Sequence, residues 1–339
     1  MRNLSAFTLF LLLVLAPLPA ADTLDLYVLD TEGGKAVIVV PPGGETMLID
    51  AGYPTKDDRD TNRIVTAAQA LGIKSFDYIV ATHYDMDHAG NIPRLDARIP
   101  GRIFVDHGAI LPTANARNKA EFYEPYLKAI GDRKRMIVRP GDIIPLKGVQ
   151  ITVVSSGGEV LSQPLPGAGQ PNPLAVDVKP ELIDIYDNAG SVGMLFEFGK
   201  FRMLDLADLL QMVECKLMAP NNLIGTVDLF MVSHHGFKVS NSDLLVHSLR
   251  PKVAIMNNGA RKGGEPRVLD TIKSSPGLQD LWQLHFTTAS GEKNAPADFI
   301  ANPDVACEAK WIKLSAQSDG SYTVTNSRNG FTKTYKPRN

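Results

Sequence analysis

Three short apolar runs in this chain each end on side chains able to grip a metal ion, a pattern that restricts the fold more than composition does. Tyr78–Ile79–Val80–Ala81 leads into Thr82–His83–Tyr84–Asp85–Met86–Asp87–His88–Ala89–Gly90, the densest group of ligand-type residues in the sequence. Phe201–Leu206 carries Asp205 near its end and Asp208 just beyond, and Val227–Val232 runs into Ser233–His234–His235–Gly236. All three runs read as buried strands. Rigid strand ends are where reacting groups are normally presented, so three of them on one edge would gather imidazoles and carboxylates around a cleft. Helical spacing cannot put His83, Asp85, Asp87 and His88 on one face. A tight turn can aim His83 and Asp85 one way and Asp87 and His88 the other, serving two adjacent ion positions. Imidazole suits Zn²⁺, and the carboxylates also suit a harder ion such as Mn²⁺.

The remaining pattern predicts an α/β chain. Short strands at Leu24–Asp30, Ala36–Val40 and Thr46–Asp50 read as a meander, and Arg59–Leu71 has helical periodicity ended by Gly72. Helices and strands then alternate, with a strand at Ile103–Val105, a helix over Ala116–Ile130 and a strand at Gln150–Ser155. The Gly- and Pro-rich stretch Gly157–Pro173 is long for a simple connection. Gly199–Lys200 marks a two-residue hairpin between Val192–Phe198 and Phe201–Leu206. Asp243–Leu249 reads as a short helix and Val253–Met256 as a strand. From Trp311, Asp319–Gly320 and Asn329–Gly330 join three more strands. This order predicts two sheets sandwiched between helices, a four-layer αββα arrangement with a small C-terminal β-meander.

Composition narrows the function classes. With 44% apolar and 21% charged residues among 339, the chain can bury a core and disorder is excluded. The charge balance is 35 − 37 = −2, which gives no bulk footprint for nucleic acid or anionic membrane, so a polyanionic substrate would have to be held locally. Arg2, the apolar run Leu9–Leu15 and Ala20–Ala21 follow the order of a secretory leader. The expected organisation is a signal peptide over 1–21, a main domain over 22–300 and the meander over 301–339, in a protein exported to the periplasm or beyond. No apolar run reaches the roughly 20 residues of a spanning helix. Export would place Cys215 and Cys307 where thiols often pair, and the sequence leaves that pairing open.

Taken in order, Leu48–Ile49–Asp50–Ala51–Gly52, the His83–His88 cluster, Asp208 and Ser233–His234–His235–Gly236 resemble metallo-β-lactamase-fold hydrolases. They look most like the branch that includes the extracellular hydrolase domain of the bacterial DNA-uptake competence channel. The resemblance runs from about Leu24 to Thr288. It implies that His83 and Asp85 bind a first ion, Asp87 and His88 a second, and that Asp208 bridges them. His234 would complete the second position, with His235 as the alternative ligand or as an acid for the leaving group, and Asp87 would also receive a proton. Asp50 would orient the turn or a ligand imidazole. One or two divalent cations, Zn²⁺ first and Mn²⁺ second, would lower the pKa of water towards ~7 and polarise the scissile group.

The sequence also departs from that family. The position of Asp85 is usually His, and a further His normally comes from a strand before the bridging acid. Here only His107 lies between His88 and Asp208, and it comes too early in the chain. His107 is thus a candidate ligand or substrate contact, or a packed imidazole, while Asp187–Ser191 resembles the competence branch's polar segment near the missing ligand. Lys238 and Arg261–Lys262 could clamp a phosphate or stand as solvated charges. Glu265 occupies a place where the competence branch carries His, which weighs against DNA. His247 and His285 read as structural, and Asp205 as a support for Asp208. The expected function is metal-dependent hydrolysis of a small-molecule or phosphodiester substrate. The alternatives are lactone, thioester or β-lactam hydrolysis, or a non-catalytic metal-stabilised binding module.

Overall fold

The computed structural model describes residues 22–175 and 186–338. The leader expected over 1–21 lies outside the described residues. The first of two sheets runs, edge to edge, Thr332–Tyr335, Tyr322–Asn326, Ile312–Ala316, Leu24–Val28, Val37–Val40, Met47–Ile49, Phe76–Val80, Gly101–Asp106 and Lys134–Ile137. The second runs Ile300–Asn302, Asp280–His285, Val253–Met256, Leu229–Met231, Phe201–Asp205, Gly193–Phe198, Gln150–Ser156 and Ile143–Ile144, with Glu159–Val160 paired to Gln150–Ser156.

Alternation along the strands produces the layers. Leu24, Leu26 and Val28 face one way, with Val37, Val39, Met47 and Ile49, and meet Met194, Phe196, Met203 and Leu229 of the second sheet in one core. Ile38, Leu48 and Ile79 face the other way, under helix α1 (Arg59–Ala70). Leu195, Leu204 and Phe230 do the same in the second sheet, under α2 (Gln211–Met218), α3 (Asp243–Leu249) and α4 (Pro266–Lys273). The result is the expected αββα sandwich. Helix α1 stops where the sequence indicates: Gly72 takes φ +71°, its N–H donates to Gln69 O (3.0 Å), and Ile73 N–H donates to Ala68 O (2.8 Å).

The helix predicted over Ala116–Ile130 passes through a wider π turn at Lys119–Tyr123, just before Pro125, which has no N–H for the Glu121 carbonyl. The three strands expected after Trp311 form a meander whose first strand pairs antiparallel with Leu24–Val28, so they continue the first sheet. Ile312, Leu314, Tyr322 and Tyr335 enter the inter-sheet core, and Tyr335 OH accepts from Trp282 Nε1 (2.9 Å). The expected boundary at residue 300 falls inside a strand, Ile300–Asn302, of the second sheet. Both cysteines are free thiols. No described helix is long and apolar enough to cross a membrane.

Met47–Ile49, Phe76–Val80 and Gly101–Asp106 are parallel neighbours, as are Phe201–Asp205, Leu229–Met231 and Val253–Met256. Parallel strands put all their C-terminal ends on one edge. Asp50, the 82–90 turn, Asp208, the paired histidines and the 257–264 loop all follow such ends.

Candidate metal centre

The 82–90 turn is built on Asp50, which is fully buried. Its Oδ1 accepts from Thr82 N (2.9 Å), and its Oδ2 accepts from Thr82 Oγ1 (2.8 Å) and lies 2.8 Å from His88 Nδ1. Burial works to raise the Asp50 pKa, and the charges of His88 and Lys35 outweigh it, holding the carboxyl below its usual range. Ser233–Gly236 forms the second turn, with left-handed backbone at both His234 (φ 50°) and His235 (φ 52°). Asn241 holds it, accepting from Ser233 N (2.9 Å) and donating to Ser233 O (2.8 Å). Glu214 holds Asn241 in turn, accepting from its N–H at 2.6 Å.

These turns bring Asp87, His88, Asp208 and His235 together, each offering a ligand atom within 4.8 Å of the others, all four buried. His88 Nε2 lies 3.2 Å from Asp208 Oδ2 and 3.5 Å from Asp87 Oδ2. His235 Nε2 lies 3.1 Å from Asp87 Oδ2 and 3.3 Å from Asp208 Oδ2. The two Nε2 atoms face each other at 3.2 Å. The paired imidazoles thus divide differently from the expectation. His235 enters the four-residue cluster, while His234 lies at its edge, with Nε2 3.5 Å from Asp208 Oδ2 and Nδ1 3.2 Å from Ser240 Oγ. With its Nε2 among carboxylates, His235 has the position of a candidate ligand.

The residues fit a divalent cation. His88 Nδ1 faces Asp50, His235 Nδ1 faces Asn257 O (3.1 Å) and His83 Nδ1 faces Thr82 Oγ1 (3.2 Å), so each ring has an outer partner for Nδ1 and turns Nε2 inward. Asp208 Oδ1 and His83 Nε2 are buried without a hydrogen-bond partner. Unanswered donors of this kind are what an ion would satisfy. The local field agrees. Burial opposes ionisation of Asp208 and Asp87, yet His235, His88 and His234 hold the first well below its usual range, and Lys262, His88 and His235 do so for the second. Burial lowers the His88 pKa, but Asp208, Asp50 and Asp87 overturn that and raise it well above its usual value. Positive charge is drawn to this point. His234 goes the other way: burial leads, and its pKa falls to about 4.

The other expected residues are placed as follows. Asp85 Oδ2 lies 3.7 Å from His83 Nε2, while its Oδ1 accepts from Asn118 Nδ2 and Asp187 N (3.4 Å), so this side of the centre is held by the start of the Ala116–Ile130 helix and by Asp187. His107 is a packed imidazole, buried against Tyr84 with Nε2 2.8 Å from Asp187 Oδ2 and Nδ1 buried without a hydrogen-bond partner, and it is not among the four residues of the cluster. Asp187 also accepts from Tyr84 N (3.0 Å) and Leu111 N (2.9 Å), which makes it a brace for the turn. Lys238 is exposed, and its N–H donates to Glu265 Oε2 (3.0 Å); the structure does not bring it to the cluster. Asp205 pairs with Lys35 Nζ (2.5 Å), both buried, and Lys35 N–H donates to Asp87 O (3.0 Å). Lys35 therefore links the strand before Asp208 to the turn of Asp87, a role the sequence reading missed. Lys262 does not stand in solvent: its ammonium bonds Asp87 Oδ2 and Tyr53 OH (2.9 Å).

A second cluster lies at Asp30, His285 and Cys307. Arg63 already spans it, with Nη1 3.0 Å from Asp30 Oδ2 and Nη2 3.3 Å from Cys307 Sγ.

Residues 30–170 match the family model of the metallo-beta-lactamase superfamily. The two-sheet αββα architecture is consistent with that superfamily's fold. Among curated proteins, the coenzyme F420H(2) oxidase of Methanothermobacter marburgensis is 29% identical over 109 residues, 32% of this chain. The chain spans about a quarter of the length of that relative, 25%. Among solved structures, the metallo hydrolase Igni18 of Ignicoccus hospitalis aligns over 76% of this chain and 94% of its own, at 16% identity and TM-score 0.44. A HARLDQ-motif mutant of a metallo-beta-lactamase from Cronobacter sakazakii aligns over 61% of this chain and 75% of its own, at 19% identity and TM-score 0.40. The diiron β-hydroxylase CmlA of Streptomyces venezuelae aligns over 76% and 47% respectively, at 16% identity and TM-score 0.40.

Proposed function

We propose that this protein is an exported, metal-dependent hydrolase acting on phosphodiester or related ester bonds, with Zn²⁺ or Mn²⁺ as its cofactor. One observation carries the reading: two imidazoles and two carboxylates converge on one point, each ring fixed from behind so that Nε2 faces inward. Asp87, His88, Asp208 and His235 would hold the ion there. His83 and Asp85, with Asp208 Oδ1, offer donors for a neighbouring ion. Such a cation supplies an activated water and a Lewis acid for the scissile group. The chain's own residues do the rest. Asp87, kept ionised by its surroundings, would hold the ion and could receive a proton on its other carboxylate oxygen, and Asp50 and Asn257 keep the two rings from turning. The secretory pattern of residues 1–21 supports export, and the likeness to the competence-channel branch supports a phosphodiester.

The test is hydrolysis of bis(p-nitrophenyl) phosphate by metal-depleted protein before and after Zn²⁺ or Mn²⁺, with elemental analysis alongside. Activity should return with metal, and Asp87→Ala should lose about a thousandfold or more. Wild-type rates in Asp87→Ala, or inertness with both metals, would refute the proposal. A carboxyl-ester panel outrunning the phosphodiester would move the substrate class to lactones, thioesters or β-lactams.

A further inference from the structure

Lys262 lies 175 residues along the chain from Asp87 and is its direct partner. Its position is fixed by the loop that carries it. Gly264 N–H donates to His235 O (2.8 Å), so the loop is tied to the turn that supplies a ligand, and Gly259 N–H donates to Lys262 O (2.9 Å). On the other side the loop is pressed onto the Glu32–Gly33 turn. A Cβ on Gly259 would come 2.7 Å from Glu32 O, and one on Gly33 would come 3.0 Å from Lys262 Cβ. The root of the lysine is therefore held, and its stem runs along Gly33, where an added Cβ would also come 3.1 Å from Lys262 Cδ. The stem passes beside Tyr53, with Nζ 5.2 Å from the ring centre and 2.9 Å from the hydroxyl, and the side chain is 29% exposed. It thus reaches the cluster from the solvent side.

An ammonium and a divalent ion on the same Asp87 carboxylate repel each other, so each weakens the other's hold. We infer that Lys262 is a tethered cation: its ammonium opposes a divalent ion at Asp87 and, at the rim with Tyr53, binds an anionic group of the substrate. This rests on the hydrolase reading above and deepens it. The substrate class becomes esters that carry a negative charge beside the scissile bond, with the phosphodiester oxygens as the group that fits an ammonium and a phenol hydroxyl.

Two measurements that need no turnover test it, on wild type and Lys262→Met, which keeps the stem and removes the charge. In competition with a chromophoric chelator, Lys262→Met should hold Zn²⁺ about tenfold more tightly, since no ammonium then opposes the ion at Asp87. On zinc-loaded protein, the affinity for inorganic phosphate should fall about tenfold in Lys262→Met, about threefold in Tyr53→Phe, and be largely restored in Lys262→Arg. An unchanged zinc affinity or an unchanged phosphate affinity in Lys262→Met overturns the inference. Under turnover, the ratio of kcat/KM for bis(p-nitrophenyl) phosphate to that for p-nitrophenyl acetate should drop about tenfold in Lys262→Met, mainly through KM. A protein that binds zinc and phosphate as described yet hydrolyses neither ester would remove the hydrolase reading and leave the lysine's role standing.

Discussion

The centre around Asp208 and the cluster of Asp30, His285 and Cys307 are assembled from the same kinds of side chain, and they differ in what supplies their positive charge. At Asp30 the answer is built in. Oδ1 lies 2.7 Å from His285 Nε2, and Oδ2 faces Arg63 and the Cys307 thiol, each at 3.0 Å. Arg63 also reaches Glu32, as does Arg59. Burial would raise the Asp30 pKa, and His285, Cys307 and Arg63 together bring it below its usual value. At Asp208, Oδ1 is buried without a hydrogen-bond partner, and among the described residues the ammonium that touches the cluster is that of Lys262, on Asp87. Proximity of ligand-type atoms therefore does not make a metal site. What separates the two is the carboxylate: both oxygens of Asp30 have partners, whereas Asp208 Oδ1 has none, although Nδ1 of His285 is also buried without one.

The sharpest way to break this contrast is to neutralise one carboxylate in each cluster. Asp208→Asn should lose most of its bound metal, and about a thousandfold or more of any phosphodiester turnover. Asp30→Asn should keep its metal content by elemental analysis. It should instead lose stability in denaturant, by roughly 3–5 kcal/mol, because Arg63 and His285 are left around a neutral amide. Metal lost from Asp30→Asn and retained in Asp208→Asn would invert the assignment.

The paired histidines give the next largest effect. His235→Ala should weaken Zn²⁺ binding about a hundredfold, and His234→Ala about tenfold or less, measured by chelator competition. Equal losses would mean that both rings act as ligands.

That pair also marks where the sequence stops being legible. Strand ends carrying His83–His88, Asp208 and His234–His235 are visible because apolar runs end abruptly on ligand-type residues, and parallel strands then bring them to one edge. Which of two adjacent imidazoles turns inward is invisible, since it depends on left-handed backbone at both residues, and neither is a glycine. Long-range polar pairs are equally hidden. Lys35 meets Asp205 across 170 residues, and His107 meets Asp187 across 80. Nothing local in Gly33–Gly34–Lys35 announces a buried ammonium. The tail reads as strands in sequence, but its partner, Leu24–Val28, is almost the whole chain away, so its place in the first sheet follows only from the fold.

The smallest effect comes from a third buried carboxyl, which isolates the cause of the contrast. Glu214 holds the histidine turn by accepting from Asn241 N (2.6 Å), Ser242 N (3.0 Å) and Ser242 Oγ (2.8 Å), all uncharged donors. Burial dominates there, those hydrogen bonds recover only part of it, and the pKa rises from 4.5 to about 7. Asp30, served by an imidazole and a guanidinium, moves down from 3.8. The two must respond to pH with opposite sign. Between pH 4.5 and about 7 the folded protein keeps the Glu214 proton that the unfolded chain has released, so stability falls as pH rises through that window. Below the ordinary Asp value the unfolded chain takes up the Asp30 proton first, so stability falls as pH drops. Each slope is at most about 1.4 kcal/mol per pH unit. Denaturant midpoints from pH 3 to pH 8 should show Glu214→Gln flattening the upper window and Asp30→Asn flattening the lower one. A wild-type profile matched by Glu214→Gln from pH 5 to pH 7 would mean that neutral donors alone can hold a buried carboxylate ionised, and that the cations around Asp30 are not what separates it from Glu214.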